Sequence, residues 1–101
     1  MTDNYLYGGM IRLHILHHAN DAPVYGLGII EELRHHGYEM SSGTLYPLLH
    51  GLEKKGYLNS YHQPTGHRDR RMYEITIEGR QALTEAKAKV KELFGELIDE
   101  P

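Results

Sequence analysis

Apolar residues recur with a helical period through most of the chain and switch to alternation only between Tyr57 and Ile75. Met10, Ile11, Leu13, Ile15 and Leu16 predict a first helix over Tyr7 to His18, ended by Asn20-Asp21-Ala22-Pro23. Leu27, Ile30 and Leu33 predict a second from Tyr25 to His36, with Gly37 suited to a left-handed C-terminal cap. Leu45, Leu48, Leu49 and Leu52 predict a third, N-capped by Ser41 and stopped by Lys54-Lys55-Gly56. Tyr57 to Tyr61 and Arg71 to Ile75 alternate as strands do, around turn material at His62-Gln63-Pro64-Thr65-Gly66. Thr76 then caps a last helix, with Glu78 favoured in its first turn by the helix dipole.

The third helix conflicts with local propensity. Gly43 and Pro47 sit inside it, and an interior Pro costs about 3 kcal/mol, an interior Gly roughly 1. A weak first turn is useful where small residues must let a partner close to the backbone. It also occurs where one helix crosses another closely.

The last helix carries Leu83, Ala86, Val90, Leu93 and Leu97 at spacings of three and four, flanked by Phe94. Such a seam can lie on its own domain or pack on a helix outside it. We expect the second, with a twin chain as partner, so that Leu83, Ala86, Val90, Leu93, Phe94 and Leu97 form a homodimer interface.

Composition narrows the chemistry. The 101 residues suit one modest core, and 40% hydrophobic with 25% charged residues is ordinary for a globular protein. With no cysteine there is no disulfide, thiolate metal site or thiol nucleophile. No segment has the length of a membrane span and the start has no signal-peptide layout, so a cytoplasmic location is expected. The net charge of −3 argues against nucleic acid, but residues 67–71, His-Arg-Asp-Arg-Arg, form a basic patch that the average hides.

The order of elements gives a mostly α fold with a small β-hairpin: a winged helix-turn-helix over residues 1–76 and a long C-terminal dimerisation helix over 77–101. In that architecture the third helix enters the major groove with its N-terminal residues toward base edges. Ser41, Ser42, Thr44 and Tyr46 then offer hydroxyls to bases or phosphates, Lys54 and Lys55 flank them, and His67, Arg68, Arg70 and Arg71 reach the backbone from the hairpin. The alternative is a winged-helix module that binds a protein partner without sequence-specific DNA binding, consistent with the overall acidity.

YGLGIIEEL, SSGTLYPLLHGLEKKGYL and TGHRDRRMYEITIEGRQAL, in this order over Tyr25 to Leu83, resemble the PadR family of winged-helix transcriptional regulators. The resemblance implies a dimeric repressor on a palindromic operator, often released by a small-molecule effector. It adds Tyr25, at the start of the second helix, as a phosphate contact. Many relatives carry a basic residue where this chain has His50 or Gly51, so one or two backbone contacts are expected to be either missing or carried by Lys54 and Lys55. Compact relatives that hold planar drugs between subunits use tryptophan, which this chain lacks. Tyr5, Tyr7 and Phe94 are the aromatic residues that could line such a slot here.

Among the 8 histidines, His14 and His18 stand four apart on the first helix and His35-His36 form a second pair. Two imidazoles make a poor metal site, so the reading assigns no metal and no cofactor. No phosphate-cradling Gly-rich loop, His-Glu-x-x-His or nucleophile with readable base is present, and an enzyme is not expected.

Overall fold

The computed structural model describes residues 2–66 and 68–99. Its elements are α1 (Asn4–Asp21), β1 (Val24–Tyr25), α2 (Gly26–His35), α3 (Ser42–Lys54), β2 (Leu58–Thr65), β3 (Arg68–Ile75) and α4 (Ile77–Phe94). A wide π-helical turn, Gly95–Asp99, continues α4. Among the described residues no helix is long and apolar enough to cross a membrane.

Most predicted elements are present, with shifted edges. α1 begins at Asn4 rather than Tyr7 because the Asp3 carboxylate accepts from the Tyr5 and Leu6 amides, both at 3.1 Å. That cap satisfies donors the first turn would otherwise leave open. α2 and α3 end in the same way. Gly37 and Gly56 adopt φ of 89° and 85°, and the next amides, Tyr38 and Tyr57, reach back to the Leu33 and Leu52 carbonyls at 2.8 and 2.9 Å. This six-to-one bond is the Schellman stop that the two glycines foreshadow.

The hairpin departs further from expectation. His62, Gln63, Pro64 and Thr65 are strand rather than turn, paired with Arg71, Arg70, Asp69 and Arg68. Only positions 66 and 67 separate the strands, and Gly66 has the positive φ of 61° that a two-residue hairpin demands. Pro64 is tolerated because β2 is an edge strand in the order β1-β3-β2. The third strand was not foreseen: Val24 and Tyr25 pair with Tyr73 and Met72. Two residues carry no readable period, and Pro23 before them reads only as a helix breaker.

Ile11 and Ile15 from α1, Ile29 and Leu33 from α2, Leu45 and Leu49 from α3, and Leu58 and Tyr73 from the sheet form the fully buried centre. Truncating such a leucine to alanine typically costs 2–5 kcal/mol. Leu48 and Tyr57 are half-buried against it. α4 enters this core through a narrow joint. The Thr76 hydroxyl donates to the Gly56 carbonyl at 2.6 Å and accepts from the Gly79 amide at 2.9 Å, while the Thr76 amide donates to the Tyr57 carbonyl at 3.1 Å. Gly79 is buried so close to that carbonyl that a methyl group there would collide with backbone.

Candidate nucleic-acid interface

Burial divides α3 into two faces. Leu45, Leu49 and Leu52 are buried, whereas Ser42, Gly43, Pro47, His50, Gly51 and Lys54 are exposed. The weak first turn therefore lies on the solvent face. Pro47 removes the amide that would have bonded to the Gly43 carbonyl. A neighbouring helix does not account for these residues: a side chain added at Gly43 would meet only the Ser41 hydroxyl at 3.8 Å, and one at Gly51 nothing within 4 Å.

The hydroxyls near the start of α3 are not equivalent. Ser41 is the N-cap, accepting from the Thr44 amide at 3.3 Å and lying 3.3 Å from the Thr44 hydroxyl. Ser41 and Thr44 also border a shallow recess with Thr2, Asn4, Arg34 and Glu39. Ser42 is exposed and makes no side-chain hydrogen bond among the described residues. Tyr46 is half-buried, with its phenol over Gly26, where a methyl group would strike the ring. Lys54 and Lys55 are exposed at the C-terminal end of α3, where their charge also suits the dipole.

The sheet brings Tyr25 and the wing together. β1 pairs Tyr25 with Met72, and Arg70, two residues along β3, projects from the same face. Its guanidinium carbon lies 3.9 Å from the centre of the Tyr25 ring, which rests on Gly28. Tyr25 is the N-cap of α2 but gives that helix no side-chain cap. The result is a cation stacked on the N-cap residue of a helix whose start has no side-chain cap, a combination that suits a phosphate. The Arg70–Tyr25 stack was not readable from sequence, since only the unforeseen strand sets it.

Arg71 projects to the opposite face, with Nη1 3.2 Å from Nε2 of His62 on the neighbouring strand. Toward the core from it, burial pushes the Tyr73 phenol pKa up; Arg71 pulls it down more weakly. The arginines grouped in sequence are thus split between two faces. His67 and the side chain of Arg68, also expected to meet DNA, lie outside the described residues.

The C-terminal seam divides along its length. Leu83 is buried and Ala86 half-buried, while Val90, Leu93, Phe94 and Leu97 are between 47% and 67% exposed. An apolar groove of about 500 Å³ runs between α1 and α4, bordered by Met10, Leu13, Leu83, Val90 and Phe94. Phe94 takes part in it, but Tyr5 and Tyr7 do not. Tyr5 is fully exposed and Tyr7 packs edge-on against Tyr38.

Comparison with known proteins agrees with this arrangement. The family described as Transcriptional regulator PadR-like matches residues 15–85. The chain is 49% identical over 88 residues to Transcriptional regulator Rv3488 of Mycobacterium tuberculosis, covering 87% of this chain and 82% of that one. A crystal structure of a PadR family transcriptional regulator from Eggerthella lenta superposes with a TM-score of 0.81 at 31% identity, covering 96% and 88% of the two chains. Bacillus subtilis PadR, solved in complex with operator DNA, shares the fold at 20% identity with a TM-score of 0.68, covering 75% of this chain and 46% of its own. The protein belongs to the PadR-like family of transcriptional regulators and is not an enzyme.

Proposed function

We propose that two copies of this chain bind a palindromic operator and repress transcription by occupying it. Each α3 would enter a major groove, the two helices about 34 Å apart on one face of the duplex. The observation that carries this reading is the Arg70 stack on Tyr25, 3.9 Å away beside the uncapped start of α2. It creates a phosphate seat on an element adjoining α3, whose exposed Ser42 and Gly43 permit close approach to the bases. Ser42, Thr44 and Tyr46 would contribute to sequence discrimination, with Ser42 the least encumbered by contacts within the chain. Arg68, Arg70, Arg71 and His67 would hold phosphates, as would Lys54 and Lys55, about 18 Å along the helix from Ser42. The solved complex of the related Bacillus subtilis regulator with operator DNA supports this use of the fold.

Residues 77–101 would supply the twin interface. Val90, Leu93, Phe94 and Leu97 present apolar surface that the single chain leaves open, continuous with the groove along α1. A second copy covering that groove would enclose a space for a small apolar effector. Selection of sites from a random duplex library tests the reading. Enrichment of a two-fold symmetric sequence is expected, and a folded dimer that enriches nothing would favour a protein partner instead.

A further inference from the structure

We propose that His14, His18 and His36 form a binding site for a divalent transition metal of the zinc, nickel or cobalt class. The sequence shows His14 and His18 four apart on one helix and leaves His36 in a different pair. Folding changes the grouping. His36 is the C-cap of α2, and the turn through Gly37 sets it against α1, its ring 4.5 Å from that of His14 and 5.6 Å from that of His18. One ring nitrogen from each residue lies within 4.8 Å of the other two. Tetrahedral zinc with bonds near 2.1 Å needs nitrogens about 3.4 Å apart, a contraction that requires side-chain rotation of the His14–His18 pair as well as of the exposed His36.

A second observation points to a ligand. His18 Nε2 is buried with no hydrogen-bond partner among the described residues. The Glu32 carboxylate is 3.7 Å from it, too far for a hydrogen bond. A buried polar atom left so is costly, and a metal ion would satisfy it. Glu32 stands beside His18 alone and does not join the group, so a water would fill the fourth position. Three imidazoles without a carboxylate select borderline ions over calcium or magnesium, which take oxygen ligands.

The position gives the ion a mechanical consequence. It would tie the middle of α1 to the end of α2, where the six residues leading into α3 begin. The site shares no residue with the surface assigned to DNA, so its existence does not depend on that assignment.

The test is titration calorimetry of the full, chelator-treated chain with Zn²⁺ and with Ni²⁺. Saturable binding of one ion per chain is expected. His18→Ala and His36→Ala should each weaken it more than about tenfold. His35→Ala and His50→Ala, which remove exposed imidazoles outside the cluster, should leave it unchanged. Visible absorption of the Co²⁺-loaded chain should report nitrogen ligation that His36→Ala abolishes. His36 is exposed, so that variant can be checked as folded by circular dichroism. Non-saturable binding, equal loss in the His35→Ala and His36→Ala variants, or an unaltered isotherm in folded His36→Ala would overturn the site.

Discussion

The Arg70 guanidinium carbon lies 3.9 Å from the centre of the Tyr25 ring, joining the wing to the start of α2. Neither residue can then be altered without consequence for the other. An exposed cation–π pair contributes about 0.5–1 kcal/mol, modest for stability but sufficient to orient the guanidinium. Arg70→Ala should weaken binding to all duplexes alike and reduce the log–log salt slope by about 0.9, the value of one phosphate. Tyr25→Ala should also weaken binding, and the double variant should lose less than the sum of the singles. Fluorescence anisotropy over a salt series measures these effects. Additive losses would mean that the stack does not operate on DNA.

Ser42 and Thr44 separate by the same logic. Thr44 is engaged with the N-cap and half-buried, whereas Ser42 is exposed. Ser42→Ala should alter preference among operator variants with little change in stability. Thr44→Ala should lower the melting temperature as well. A competition assay paired with thermal melts distinguishes them, and equal melting temperatures would show that the Ser41–Thr44 contact is without weight.

At the joint to α4, Gly79→Ala should be among the most destabilising single-methyl additions in the chain. It would place a methyl group against the Tyr57 carbonyl, with an expected loss of about 1–3 kcal/mol. Thr76→Val keeps the shape but removes the hydroxyl that bonds both Gly56 and Gly79, and should lose about 1–2 kcal/mol. Denaturant unfolding reads both. Wild-type stability in either variant would mean that α4 is not anchored through this joint.

Tyr73 is wholly buried, and its hydroxyl has no well-formed hydrogen bond among the described residues, with Arg71 making only a minor contact that lowers its pKa. Tyr73→Phe should therefore be neutral or stabilising, since it removes a polar group that folding leaves unsatisfied. Burial raises the folded pKa above the ordinary 10.0, so the unfolded chain loses its proton first. Stability is complete below pH 10 and should fall as pH rises through the folded pKa. Unfolding midpoints measured above pH 10 should show this fall for the wild type and a smaller one for Tyr73→Phe. A destabilised Tyr73→Phe at neutral pH would reveal a partner for the hydroxyl.

Val90, Leu93, Phe94 and Leu97 are exposed in the single chain, so Leu93→Glu should separate a dimer while sparing the fold. Sedimentation velocity reads the mass, and a dimer of unchanged affinity would place the twin interface elsewhere.

What sequence reveals and what it hides follow from locality. The stops at Gly37 and Gly56 and the caps at Ser41 and Thr76 each depend on a few adjacent residues, so pattern suffices to find them. The leucines of α3 declare their buried face by period. β1 leaves no such trace, because Val24 and Tyr25 become a strand only through their pairing with β3. Both long-range groupings depend on contacts of that kind. Tyr25 meets Arg70 across 45 positions, and His36 meets His14 across 22. The wing shows the opposite error. Arginines clustered in sequence suggest one patch, yet strand alternation sends Arg70 and Arg71 to different faces.

Hydroxyl-radical footprinting on the duplex enriched by selection tests the central claim most directly. Two protected patches, symmetric about the centre and roughly 10 base pairs apart on one face, are expected of paired α3 helices in successive major grooves. A single asymmetric patch, or protection spread evenly along the duplex, would contradict the account.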